Sequence, residues 1–192
     1  KIQYLNLADA GTDKFADIDE APVCQTIAIV RDFLFAGNCD GDNNKVQWSD
    51  LNNELSWDSS DTSQADFQFL ASGGTVKSVI GGEFAIILQE KAVTRASYIG
   101  TPLVFQFDQI SDNTGCLAGS SAIGYNGKAY WLSESGFMAC DGSTVTPIGE
   151  GKIDNFFFSK LDKTRLKDIC VAVDPIKNLI VWTFPNASIR RG

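Results

Sequence analysis

A chain of 192 residues with 16 basic and 24 acidic side chains, a net charge of −8 and no histidine has room for one ordinary domain or two small ones. Its 44% hydrophobic and 21% charged residues allow a real core and exclude a disordered acidic tail. The missing histidine removes Ser-His-Asp and Cys-His hydrolases and His-ligated metals, and the acidic balance argues against a nucleic-acid clamp.

Along the chain, short β-branched and aromatic runs recur between Gly, Asn and Asp clusters, and almost nothing holds a helical period, so the fold class is all-β. A strand at 1–7 comes first, without partners. Four segments then share one pattern of apolar run, tight polar turn and second apolar run: 26–30 with 33–36, 76–80 with 84–88, 121–125 with 128–132, and 169–173 with 179–184. Their turns, centred on Asp32, Gly82, Asn126 and Ile176, are separated by 50, 44 and 50 residues. A recurrence of this length, one four-stranded unit each, is the signature of β-propeller blades. A β-sandwich explains the strand count but not the spacing.

Outer strands are expected at 92–98 and 103–108, and at 136–140 and 144–148, while in the first unit 45–48 is followed by a long polar surface loop before 67–70. The units are thus about 22–71, 72–110, 117–160 and 166–192 of a single propeller domain, or of a fragment of one. One short helix is expected at 152–160, with Ile153, Phe156, Phe157 and Lys160 on its packed face. Two closures are open: 1–7 completes the fourth unit in a four-bladed ring, or the chain is an arc of a larger propeller. The arc is favoured, because the fourth unit lacks both outer strands. The start at Lys1 without Met points the same way, to a piece of a longer chain or a processed one.

Five cysteines, at 24, 39, 116, 140 and 170, contain no C-x-x-C pair, so reduced and buried thiols are expected. No stretch approaches the roughly 18 consecutive apolar residues of a membrane span. Asp40-Gly41-Asp42-Asn43-Asn44 begins like a calcium loop, but Lys45 and Leu51 stand where a bend glycine and a bidentate Glu are needed, and a polar hairpin is the simpler reading. Gly149-Glu150-Gly151-Lys152 resembles the end of a phosphate-binding loop, yet Ile153 replaces the magnesium-binding Ser or Thr, so a glycine turn feeding a helix is expected. Ser133-Glu134-Ser135-Gly136-Phe137 is a hairpin-corner motif, and Asn186-Ala187-Ser188 is a chance glycosylation sequon. Trp131 and Trp182 fall in inner strands, where burial accounts for them; Trp48 and Trp57 flank the polar loop and are the candidate interaction residues. No catalytic, cofactor-binding or metal-binding residue is assigned.

Taken in order, Lys45-Val46-Gln47-Trp48-Ser49, Trp57, Gly81-Gly82-Glu83-Phe84, Gln89-Glu90-Lys91-Ala92-Val93, Tyr98-Ile99-Gly100-Thr101-Pro102 and Phe105-Gln106-Phe107 form a recognisable series. It continues through Gly136-Phe137, Asp141-Gly142, Pro147-Ile148-Gly149, Lys152-Ile153-Asp154 and Ala172-Val173-Asp174-Pro175. From about Pro22 to Pro185 the chain resembles structural proteins of short-tailed bacteriophages and prophages, the tail tubular or nozzle proteins built on a β-propeller. The resemblance implies a virion tail component without catalysis, assembled in the bacterial host cytoplasm. Its partners would be copies of itself in a ring, a tail adaptor and fibres, with DNA passing through and not specifically bound. The net charge of −8 adds the expectation of an acidic conduit that repels phosphate. Two other classes stay open: a module in which a propeller face or the 48–57 loop recognises host glycan or protein, and a carboxylate-dependent polysaccharide hydrolase or lyase.

Overall fold

Apolar runs separated by residues that tolerate positive φ fold back on themselves, and the chain does so repeatedly. The computed structural model describes residues 1–7, 14–60 and 62–187. A small ladder, β1 (Gln3–Tyr4) with β2 (Ala16–Asp17), precedes three four-stranded antiparallel sheets. The first contains β3 (Cys24–Val30), β4 (Phe33–Cys39), β5 (Asp42–Trp48) and β6 (Asp66–Phe69). The second contains β7 (Val76–Ile80), β8 (Phe84–Gln89), β9 (Val93–Gly100) and β10 (Val104–Ser111). The third contains β11 (Ile123–Tyr125), β12 (Lys128–Ser133), β13 (Gly136–Cys140) and β14 (Val145–Pro147). After helix α1 (Asp154–Lys160) and a 3-10 turn at Lys163–Asp168 comes a two-stranded hairpin, β15 (Cys170–Asp174) with β16 (Leu179–Thr183).

Each sheet is a simple meander, with strands side by side in chain order. Two of the tight turns show why their residues are there: Asp40-Gly41 and Asn126-Gly127 both hold two consecutive positive φ values, the arrangement that matches the twist of flanking strands. Asp40 does more than turn the chain. One carboxylate oxygen accepts from Val23 N at 3.0 Å and the other pairs with Lys45 at 3.0 Å, which makes this segment a hairpin loop rather than a cation loop.

The sheets meet face to face, with β3 adjoining β7, the 3-10 turn Gly119–Ser121 adjoining β7, and β11 adjoining β15. β8 shows how a continuous apolar run serves two interfaces. Ala85 and Ile87 join the core against the first sheet, with Phe33, Phe35, Trp48 and Phe105. Ile86 and Leu88 point the other way, into the core with Trp131, Met138 and Cys140 of the third sheet. The close approach of first strands depends on glycine. A Cβ on Gly81 would lie 1.9 Å from Ile29 O, and one on Gly119 would lie 2.1 Å from Lys77 O.

Several expectations shift on this frame. The strand at 1–7 is shorter and not alone, since β1 pairs with β2. It does not join β15 and β16, and among the described residues no sheet closes on itself, so the four-bladed closure through 1–7 is not formed there. The polar stretch after β5 is tethered rather than loose: Gln64 N donates to Asp50 Oδ1 at 2.7 Å, and Gln47 Nε2 donates to Trp57 O at 3.3 Å. Helix α1 buries Phe157, but Phe156 is 58% exposed and Ile153 45%, so the apolar face expected from their spacing is only partly covered. The sequon's Ser188 lies outside the described residues.

Candidate interaction surfaces

Trp48 and Trp57, the two aromatic residues singled out around the polar loop, are each 2% exposed. Trp48 stacks on Phe35 at 5.5 Å between the first two sheets and donates its indole N–H to Gln64 O. Trp57 enters the opposite face of the first sheet, among Ile2, Ile18, Ala36 and Cys39, and donates to Glu54 O. The pair therefore pins the segments 49–60 and 62–65 to both faces of one sheet, and neither ring face is open to a ligand. Trp131 is fully buried, its N–H on Gly115 O; Trp182 is half-buried, its N–H on Ser121 O.

A concavity of about 600 Å³ lies where the first strands converge. Its lining includes Gln25, Thr26, Asn38, Lys77, Ser120 and Lys167 and contains no carboxylate. Lys77 is ion-paired to Glu90 at 2.8 Å, and that hydrogen bond holds the Glu90 carboxyl below its ordinary range. Most of the carboxylates sit on exposed loops and turns, where hydration of the charge costs nothing.

A second recess, of about 280 Å³, is apolar. Phe137, Ile148, Ile153, Phe156, Trp182 and Phe184 line it, between α1 and the last hairpin. It exists because β15 and β16 cover only part of the third sheet, and α1 covers another part. Phe157 fills the gap between them, 4.8 Å from the Phe137 ring and 4.5 Å from that of Phe184.

The outward faces at the two ends of the series form a third surface. On the first sheet, Ile27 pairs with Ala36 and Ile29 with Leu34, so all four share a face. The β1–β2 ladder packs on Ala36 and leaves Ile27 and Ile29 52% and 63% exposed. On the last hairpin Ala172 pairs with Val181, and both are exposed beside Leu179. Sequence periodicity placed strands here, but bareness depends on what stacks against them, which a local pattern does not carry.

Among the described residues no group of three or more His, Cys, Asp or Glu is gathered as a metal site requires, and no helix is long and apolar enough to cross a membrane. No protein-family model matches the chain, and no curated protein matches it.

Proposed function

We propose that the chain is a non-catalytic structural subunit of a short-tailed phage tail, contributing propeller blades to a nozzle ring through which DNA leaves the capsid. The observation that carries this reading is the series of face-to-face meanders with apolar β faces bare at both ends. Exposed Ile27 and Ile29 at one end, and Ala172 and Val181 at the other, have the composition of the faces buried between the sheets within the chain. An apolar sheet face of this kind is stabilised by a further sheet laid on it. In the proposed assembly those sheets belong to the same propeller, and the ring also engages a tail adaptor and fibres. DNA crosses on the ring axis, outside the Lys77 and Lys167 hollow, without specific binding.

The test is electron microscopy with light scattering on the protein at its native length. A closed ring with an axial channel is the expected result. A monodisperse monomer that turns over a surface polysaccharide would overturn the proposal. Val181→Arg sharpens the experiment: the side chain is 50% exposed, so folding should change by no more than about 0.5–1 kcal/mol, while particles that need this face should fail to assemble.

A further inference from the structure

We propose that Cys24 and Cys39 form a cross-strand dithiol that closes to a disulfide by exchange with a low-molecular-weight disulfide of the glutathione class. The two residues are direct partners in the β3–β4 ladder. Directly opposed residues of an antiparallel pair have Cα atoms about 4.5–5.5 Å apart, inside the range of about 4.4–6.8 Å that a disulfide spans. Both side chains also lie on one face. Cys39 is fully buried in the cluster formed with Ile2, Ile18 and Ala36, and Cys24 packs against that same cluster while remaining partly exposed. Asn38, with φ 58, breaks the alternation of β4, and its amide reaches across to Val76 O, so Cys39 turns to the far face to meet Cys24.

The other thiols lack this arrangement. Cys116 and Cys140 are buried, on Ala118 O and under Gly142 N respectively, and Cys170 is exposed without an opposed cysteine, since its partner is Thr183. The signal was present in the sequence. Counting outward from a two-residue turn at Arg31-Asp32, with Val30 opposite Phe33, brings Cys24 opposite Cys39.

The chemistry proceeds in two balanced exchanges. The Cys24 thiolate, having lost its proton to solvent, attacks one sulfur of glutathione disulfide; a mixed disulfide forms and one glutathione thiolate leaves. The Cys39 thiolate then attacks Cys24 Sγ and expels the second glutathione thiolate. The protein has lost two protons and two electrons, and the reagent has become two thiols. Burial pushes both protein thiols up, Cys39 to about 12, with Asp40 adding to the shift and Lys45 and the amino terminus opposing it. Closure is therefore expected to be slow at neutral pH and to accelerate as pH rises.

Trypsin makes the test direct, because cleavage at Lys14, Arg31 and Lys45 places Cys24 in 15–31 and Cys39 in 32–45. The folded protein is incubated with oxidised glutathione and quenched in acid, its free thiols are alkylated, and it is digested without reduction. The expected product is the two peptides joined, two hydrogens lighter than their sum, from a chain that stays monomeric, and reversed by dithiothreitol. Cys39→Ser should instead accumulate a stable glutathione adduct on Cys24. The proposal is overturned if both residues remain alkylated under conditions that convert Cys170, or if the joined peptides arise only between chains or only after unfolding. It does not depend on the tail reading, and its outcome leaves that reading untouched.

Discussion

The interface between the first two sheets and the one around the last hairpin use the same residue types to different effect. In the first, Phe33, Phe35, Trp48 and Phe105 are at most 4% exposed, and the Phe105 ring lies 5.1 Å from Phe33, 5.3 Å from Phe35 and 5.1 Å from Trp48. In the second, Phe137 and Phe157 are buried, but Trp182 and Phe184 are half-buried and Phe156 stands 58% exposed. The cause is strand number. Four strands opposite four bury the central rings of both facing surfaces and leave Tyr98 and Phe107 partly exposed, whereas β15 and β16 supply two strands and α1 fills only part of the remainder. Aromatic content alone does not make a sealed core; a full partner sheet does.

The sharpest way to break that contrast is to remove one ring from each side. Phe105→Ala deletes the ring that four others pack around and should destabilise the fold by about 3–5 kcal/mol. Trp182→Ala removes a larger side chain but a half-wet one, together with its hydrogen bond to Ser121 O, and should cost only about 2 kcal/mol. Denaturant midpoints of the two variants measure the difference. Equal losses would mean that the last hairpin is as well packed as the first interface.

Backbone contact tests the first interface from another side. Gly81→Ala would drive a methyl group into Ile29 O, a main-chain atom that cannot rotate away. The loss should be about 1–3 kcal/mol, with the sheets forced apart locally. Hydrogen exchange should quicken at Arg31, whose N–H donates to Gly82 O, and at Gly82, whose N–H donates to Ile29 O, while amides of β13 stay protected.

How much of this was legible depends on the range of the interaction. The all-β class, the hairpins around Asp32, Gly82 and Asn126, and the strands of the second and third sheets follow from local alternation and turn chemistry. The start of helix α1 is written as locally, in Gly149, whose carbonyl accepts from Lys152, Ile153 and Asp154 N–H. The role of Trp57 is not local. Its neighbours Ile2, Ile18 and Ala36 are far away in sequence, so a tryptophan beside a polar loop looked available when it is an anchor. The partial exposure of Phe156 and Ile153 was hidden for the same reason: helical spacing gives the face, but not whether a sheet arrives to cover it.

The smallest expected effect lies in the turn at the outer edge of the third sheet, where Asp141 Oδ1 accepts from Ser143 N, Thr144 N and Ser143 Oγ, each at 2.9 Å. Those bonds favour the ionised form and pull the carboxyl down from 3.8 to about 2. Because the folded value lies below the unfolded one, the contribution to stability is complete above about pH 4 and is lost as pH falls through about 2. The group is solvent-exposed, so screening keeps the effect small. Asp141→Asn keeps an acceptor at the turn but has no carboxyl to protonate. Relative to the parent it should be slightly less stable at pH 7 and should lose less stability between pH 4 and 2, as followed by unfolding midpoints. Parallel curves for the two proteins over that range would show that the turn does not bind the charge, leaving the edge of the third sheet held by the β13–β14 ladder alone.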